Sequence, residues 1–355
     1  MPGTAATTAM GTACRALIFL SLFAMFGCGG AGSDPQSTRE VVVYASFDRS
    51  LAEPVLRAFE ARSGIGVRAV YDTEANKTTG LVNRVIAEAA RPQADVFWSG
   101  EIGQTLRLAD RGVLESQPIA NTRRAAWNDG SGRWHAMPAR ARVLLIRTDR
   151  VTRDRWPVSL ESLAEPEWNQ RVAVADPHFG TTGSHLALLL DAWGRERFGS
   201  WVAALRKNAV RILPGNAQVR DAVVAGVVDV GLTDSDDAIG AVSAGAPVAI
   251  AHVIQSSDVG PVWIPGTVAR VRGGPNPASA TELLQFLLSN ETDQTLSAAA
   301  DKVFTSVREP FDTANASIGQ APPREWERVA AAMPEMWSII EAGWLQAGAP
   351  VGGTP

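Results

Sequence analysis

Along the chain, apolar positions fall into short runs separated by segments in which they recur every three or four residues. Glu40 to Ala45 is a β-branched run that predicts a strand, and Leu51, Val55, Leu56 and Phe59 then repeat at helical spacing within Leu51 to Arg62. After the turn at Gly64–Gly66 the pattern gives a second strand at Val67 to Tyr71, an amphipathic helix at Leu81 to Ala90 and a third strand at Ala94 to Trp98. Such β-α-β-α-β alternation implies a mostly parallel sheet covered by helices on both faces, with ligand sites at the carboxyl ends of the strands.

Further on the pattern recurs. Arg140 to Ile146, Arg171 to Ala175 and Val227 to Leu232 predict strands, with a helix from about Ser184 to Trp193. Ala246 to Ile254 and Val262 to Val271 read as strands returning to the first unit, ahead of a helical run from Ala278 to Ser289. The expectation is an α/β protein of two lobes. Residues 40–138 and 248–290 form lobe 1, residues 139–247 form lobe 2, and two crossings make a hinge. Residues 291–355 read as a mostly helical segment that packs on the lobes, with a Pro-rich break at Ala321 to Arg324.

The amino-terminal end carries a different signal. Arg15 precedes an apolar run from Ala16 to Phe26, interrupted only by Ser21. A bilayer span needs about 20 such residues, whereas the apolar core of an export signal needs roughly 7–15. Residues 1–27 are therefore read as a signal peptide and residues 28–39 as a tether. The Gly27-Cys28 pair resembles a bacterial lipobox, in which Cys28 becomes the lipidated first residue; an ordinary cleaved signal with an incidental Cys is the alternative.

Composition narrows the chemistry. With 355 residues, 46% of them hydrophobic and 20% charged, the chain has the usage of a globular protein of about two domains. Its 33 basic and 37 acidic residues leave a net charge of −4, which gives no basic footprint for nucleic acid. Both cysteines, Cys14 and Cys28, precede the body of the chain, so that body holds no thiolate metal site and no internal disulfide. His135, His178, His185 and His252 show no metal spacing.

Several segments together resemble the type 2 periplasmic solute-binding proteins of ABC importers, and within them the ferric-ion-binding group. They are Val41 to Ser46, Phe59 to Ile65, Pro92 to Trp98, Ala141 to Leu145, Gly215 to Val219 and Gly231 to Ala238, in the same order over about Val41 to Leu288. The resemblance implies a monomeric, periplasmic protein of two lobes that closes on a small-molecule or metal ligand and passes it to an ABC permease. It implies binding rather than catalysis, with no resident cofactor. One feature departs from it. Members that hold ferric iron do so through adjacent tyrosines near Asp234 to Asp237, and this chain has only Tyr44 and Tyr71, far upstream.

What stands there is Asp234-Ser-Asp236-Asp237, at the end of a buried strand. Three carboxylates in four residues repel one another unless a cation or donor cluster compensates them. Glu101, past the third strand and matching an acidic position of the family, is expected as a fourth. Glu101, Asp234 and Asp236 are thus candidate metal ligands, since oxygen donors suit a hard cation; the same cage without a metal suits an ammonium. The bland alternative makes Asp234 a helix N-cap and the other two favourable first-turn charges. Gly180 to His185, with Thr181, Thr182, Gly183 and Ser184, exposes helix N-terminal amides and hydroxyls suited to an anion, or merely supplies an N-cap. The matching family segment contacts anions. Ser46 and Asn216 are further donors. Lys77, one of three lysines, is a candidate ammonium or a solvated loop residue, and Arg142 a bridge between lobes or to ligand.

Two ligands fit: a hard metal such as Fe³⁺ with a bridging anion, or a zwitterion such as an aminoalkylphosphonate. An exported hydrolase using the same cleft finds no G-x-S-x-G, H-E-x-x-H or adjacent Ser/His/Asp set in the sequence. A ligand sensor for a membrane receptor would share the same clamp.

Overall fold

In a computed structural model, residues 39–72, 80–119, 127–251, 259–299 and 325–345 are described. Among these described residues ten strands form one sheet: β1 (Glu40–Ser46), β2 (Gly66–Tyr71), β3 (Val96–Ser99), β4 (Leu114–Glu115), β5 (His135–Arg147), β6 (Val172–Ala175), β7 (Arg211–Leu213), β8 (Val230–Asp234), β9 (Val248–Ala251) and β10 (Trp263–Val271). Their order is β2-β1-β3-β10-β5-β8-β6-β7, with β4 beside β10 and β9 beside β5. The helices are α1 (Arg49–Ser63), α2 (Gly80–Ala87), α3 (Gly103–Asp110), α4 (Gly180–Lys207), α5 (Asn216–Val224), α6 (Ser235–Ser243), α7 (Pro277–Leu287), α8 (Asn290–Ala299) and α9 (Trp326–Ile340), with a π-turn over Glu341–Leu345. This is the α/β architecture expected from the alternation.

The sheet is mixed, not mostly parallel. β1 pairs in parallel with β2 and β3, and β6 with β7 and β8, but the middle is antiparallel, because β10 returns against β3 and β5, and β5 runs against β8 and β9. β5 is the shared element. Its first half, through Ala141, pairs with β10, and its second half, from Arg142, pairs with β8 and β9. β9 was expected to return toward the first strands, yet it lies on Leu144 to Arg147 of β5, so among the described residues β10 makes that return.

Side-chain alternation sends the sheet's faces into different cores. Val42 and Tyr44 of β1, Leu144 and Ile146 of β5 and Val172 and Val174 of β6 share one large cluster with α3, α4 and α9. On the other face Val41, Val43 and Ala45 pack under α1 and α7, while Ala141, Val143, Leu145, Ala173 and Ala175 pack separately with α5 and α6. One face therefore has a continuous core, the other two. α4 is interrupted at Gly194, and α9 lies against α3 and α4. Among the described residues no helix is long and apolar enough to cross a membrane.

Candidate functional site

Arg142 and Asp234 face each other in the β5–β8 ladder, and the arginine organises everything around them. Its Nη1 donates to Asp234 Oδ1 at 2.6 Å, Thr181 Oγ1 at 3.0 Å and Asn216 Oδ1 at 3.2 Å, and its Nη2 to Thr182 Oγ1 at 3.3 Å. The Thr181 hydroxyl donates to Asp234 Oδ2 at 2.7 Å, and Asn216 Nδ2 donates to the same oxygen at 2.9 Å. The first turn of α4, the first residue of α5 and the N-cap of α6 are thereby tied to one buried guanidinium. Asp234 occupies the N-cap position without making a side-chain cap bond, and α4 and α5 also begin without one. Five residues singled out as ligand contacts do come together, and their hydrogen bonds to one another tie three helix starts in place. Gly183 belongs to the same packing: a Cβ there would stand 2.6 Å from the carbonyl oxygen of Pro177.

Beside this network lies the acidic turn. Asp234, Asp236 and Asp237 each bring one oxygen within 4.8 Å of the others. Each also has its own arginine: Arg142 at 2.6 Å from Asp234, Arg140 at 3.0 Å from Asp236 and Arg220 at 3.1 Å from Asp237. Two of these arginines are shared, Arg140 with Asp48 at 3.9 Å and Arg220 with Asp221 at 2.8 Å. Compensation is incomplete, because burial, and then the neighbouring aspartates, push the Asp237 carboxyl up to about 7. Burial likewise raises Asp236, with Arg140 opposing and Asp234 adding to the rise. Asp236 Oδ1 is buried and has no hydrogen-bond partner among the described residues.

Glu101 does not join this cluster. Its Oε2 accepts from the Gly103 amide at 2.6 Å and the Ser184 hydroxyl at 2.7 Å, and its Oε1 from the Gln104 amide at 3.0 Å. It therefore caps the start of α3 and fastens it to α4, and the expected cage of four carboxylates is corrected to three. Burial raises its pKa, against those three hydrogen bonds. Ser46, at the end of β1, is 3% exposed, and its hydroxyl has no partner among the described residues. Lys77 and Cys28, with the signal peptide and nearly all of the tether, lie outside the described residues. Both tyrosines have other contacts: the Tyr44 hydroxyl donates to Glu88, and Tyr71 ends β2 under Arg49.

Sequence reasoning missed Arg140 and Arg220. For Arg140 a signal existed, since it stands two residues before Arg142 and period-two alternation puts both on one face of β5. Arg220 sits on α5, and its pairing with α6 leaves no mark in sequence spacing.

The family model for bacterial extracellular solute-binding proteins matches residues 40–299. The chain belongs to that family. This solute-binding protein is 29% identical over 222 residues to the Fe(3+)-binding periplasmic protein of Serratia marcescens, a match that spans 61% of this chain and 62% of that relative. Its fold resembles that of iron-bound HitA from Pseudomonas aeruginosa, at 21% identity and a TM-score of 0.74, over 86% of this chain and 99% of that one. It also resembles AfuA from Actinobacillus pleuropneumoniae with fructose-6-phosphate bound, at 17% identity and a TM-score of 0.72, over 88% and 100% of the two chains. One fold thus serves a metal in one solved structure and a phosphorylated organic solute in another.

Proposed function

We propose that this protein is the exported binding component of an importer, held at the membrane through Cys28 in the periplasm, and that it captures a small zwitterion such as an aminoalkylphosphonate for a membrane permease. Its task is binding, without turnover. The halves, one built from residues 40–138 with 259–290 and the other from residues 139–251, act as jaws meeting at the acidic turn. Family membership and the periplasmic relative support the general role. The observation that carries the choice of cargo is the one-to-one pairing of Asp234, Asp236 and Asp237 with arginines. A bare metal ion requires anionic oxygens in excess, and a turn already matched by three guanidinium groups offers little. An ammonium needs one acceptor, which Asp236 Oδ1 offers, and the partner anion of the same molecule can face the arginines and the α4 start.

A hard metal with a bridging anion is the second reading, favoured by the 4.8 Å grouping of the three carboxylate oxygens and by the iron-binding relative. Calorimetry on chelator-stripped protein separates the two. 2-Aminoethylphosphonate is expected to bind without metal, and Asp236→Asn to weaken that binding at least tenfold. Binding of Fe³⁺ with citrate or phosphate, and none of the phosphonate, would overturn the zwitterion reading.

A further inference from the structure

We propose that Arg140 sets the cargo selectivity of the acidic turn: its guanidinium shields the aspartates from free metal cations and admits a solute that brings its own anionic group. The inference deepens the zwitterion reading and rests on it. Arg140 Nε lies 3.0 Å from Asp236 Oδ2, and its Nη2 lies 3.9 Å from Asp48 Oδ2, so one side chain joins the loop after β1 to the first turn of α6. The group is fixed from behind. Its Cζ lies 5.7 Å from the Phe47 ring centroid, and Phe47 stacks on Trp98 at 4.9 Å with 17° between the planes. Gly100 makes the room, because a Cβ there would stand 3.3 Å from Arg140 Nη1 and 3.2 Å from Phe47 Cδ2. An arginine stacked this way presents a planar fork in one orientation.

Of the three arginines, Arg142 is consumed by its four hydrogen bonds, and Arg220 also serves Asp221 at 2.8 Å. Arg140 is the one paired with the carboxylate that retains an unused oxygen, Asp236 Oδ1. A metal ion seeking that oxygen meets a fixed positive charge on its other side. An ammonium tethered to a phosphonate or carboxylate instead takes Oδ1 while its anion compensates the guanidinium.

The test is calorimetry of wild-type protein, Arg140→Gln and the double variant Arg140→Gln/Asp236→Asn, with Tb³⁺ alone and with 2-aminoethylphosphonate alone. Arg140→Gln is expected to gain at least tenfold in Tb³⁺ affinity and to lose at least tenfold for the phosphonate, and the double variant to lose the gained Tb³⁺ binding. A folded Arg140→Gln, checked by circular dichroism, whose Tb³⁺ affinity equals that of wild type overturns the inference. So does a gain that survives in the double variant. If Arg140→Gln does not fold, wild type decides: millimolar Tb³⁺ that binds tightly or displaces the phosphonate overturns the shield. Wild type that ignores the phosphonate while Arg140→Gln still gains Tb³⁺ refutes the zwitterion reading and leaves the shield standing.

Discussion

Arg142 and Asp234 show what a buried charge pair is for in this protein. Both side chains are almost wholly removed from solvent, at 0% and 3% exposure, and water can rescue neither if its partner is lost. Asp234→Leu is therefore expected to cost about 3–5 kcal/mol in urea unfolding, because it strands the guanidinium, whereas Arg142→Met with Asp234→Leu should cost less than either single change. Asp237 makes a prediction about pH. Its carboxyl is raised from 3.8 to about 7, facing Asp236, Asp234, Arg220 and Arg140. Between those values the folded chain keeps a proton that the unfolded chain has lost, so this group's contribution to stability is greatest at the acid end and falls as pH rises toward 7. On the zwitterion reading, the ammonium of the cargo must displace that proton. Its affinity is expected to fall as pH drops from 7 to 6, by up to about tenfold if one proton competes, with a matching proton release in buffers of different ionisation enthalpy. The acidic run was legible from sequence as a cluster of like charges. Its arginines were not, because strand pairing and helix packing choose them.

At the scale of elements, α1 and α2 were located by the periodic pattern of a helix that buries one side, and β1 by the continuous apolar run of a strand buried on both faces. β5 was longer than its apolar run, since it starts at His135 and passes through Pro138 and Arg140, residues that interrupt a hydrophobic pattern without ending a strand. Of the mixed sheet only the return of β10 to the first strands was legible, because antiparallel partners as far apart as Arg142 and Asp234 or Trp98 and Val268 are a matter of long-range packing. α4 begins at Gly180 and not at Ser184, since polar residues in its first turn are buried by the Arg142 network and break the expected amphipathic rule. That start depends on Gly183. Gly183→Ala would drive a methyl group into the Pro177 carbonyl, and it is expected to cost about 1–3 kcal/mol and to lower the melting temperature measured by calorimetry.

For the whole molecule, one face of the sheet buries a continuous core beneath α3, α4 and α9, while the opposite face is divided. Any motion between the two proposed lobes is thus expected to pivot about the undivided side. Glu101 and Ser184 sit on that side as a tie between α3 and α4. Because β5 and the continuous core join both proposed lobes, heating should give one calorimetric transition, and two resolved peaks would show that the lobes are energetically independent. The order of strands also constrains how the chain matures. β3 gains its second neighbour only when Trp263–Val271 has been made, after the entire β5 to β9 stretch. An emerging amino-terminal portion therefore carries an unzipped sheet margin for well over a hundred residues of synthesis. On the export reading proposed above, such a chain stays threadable until roughly its last quarter arrives, a useful property for a polypeptide passing through a narrow pore before it folds.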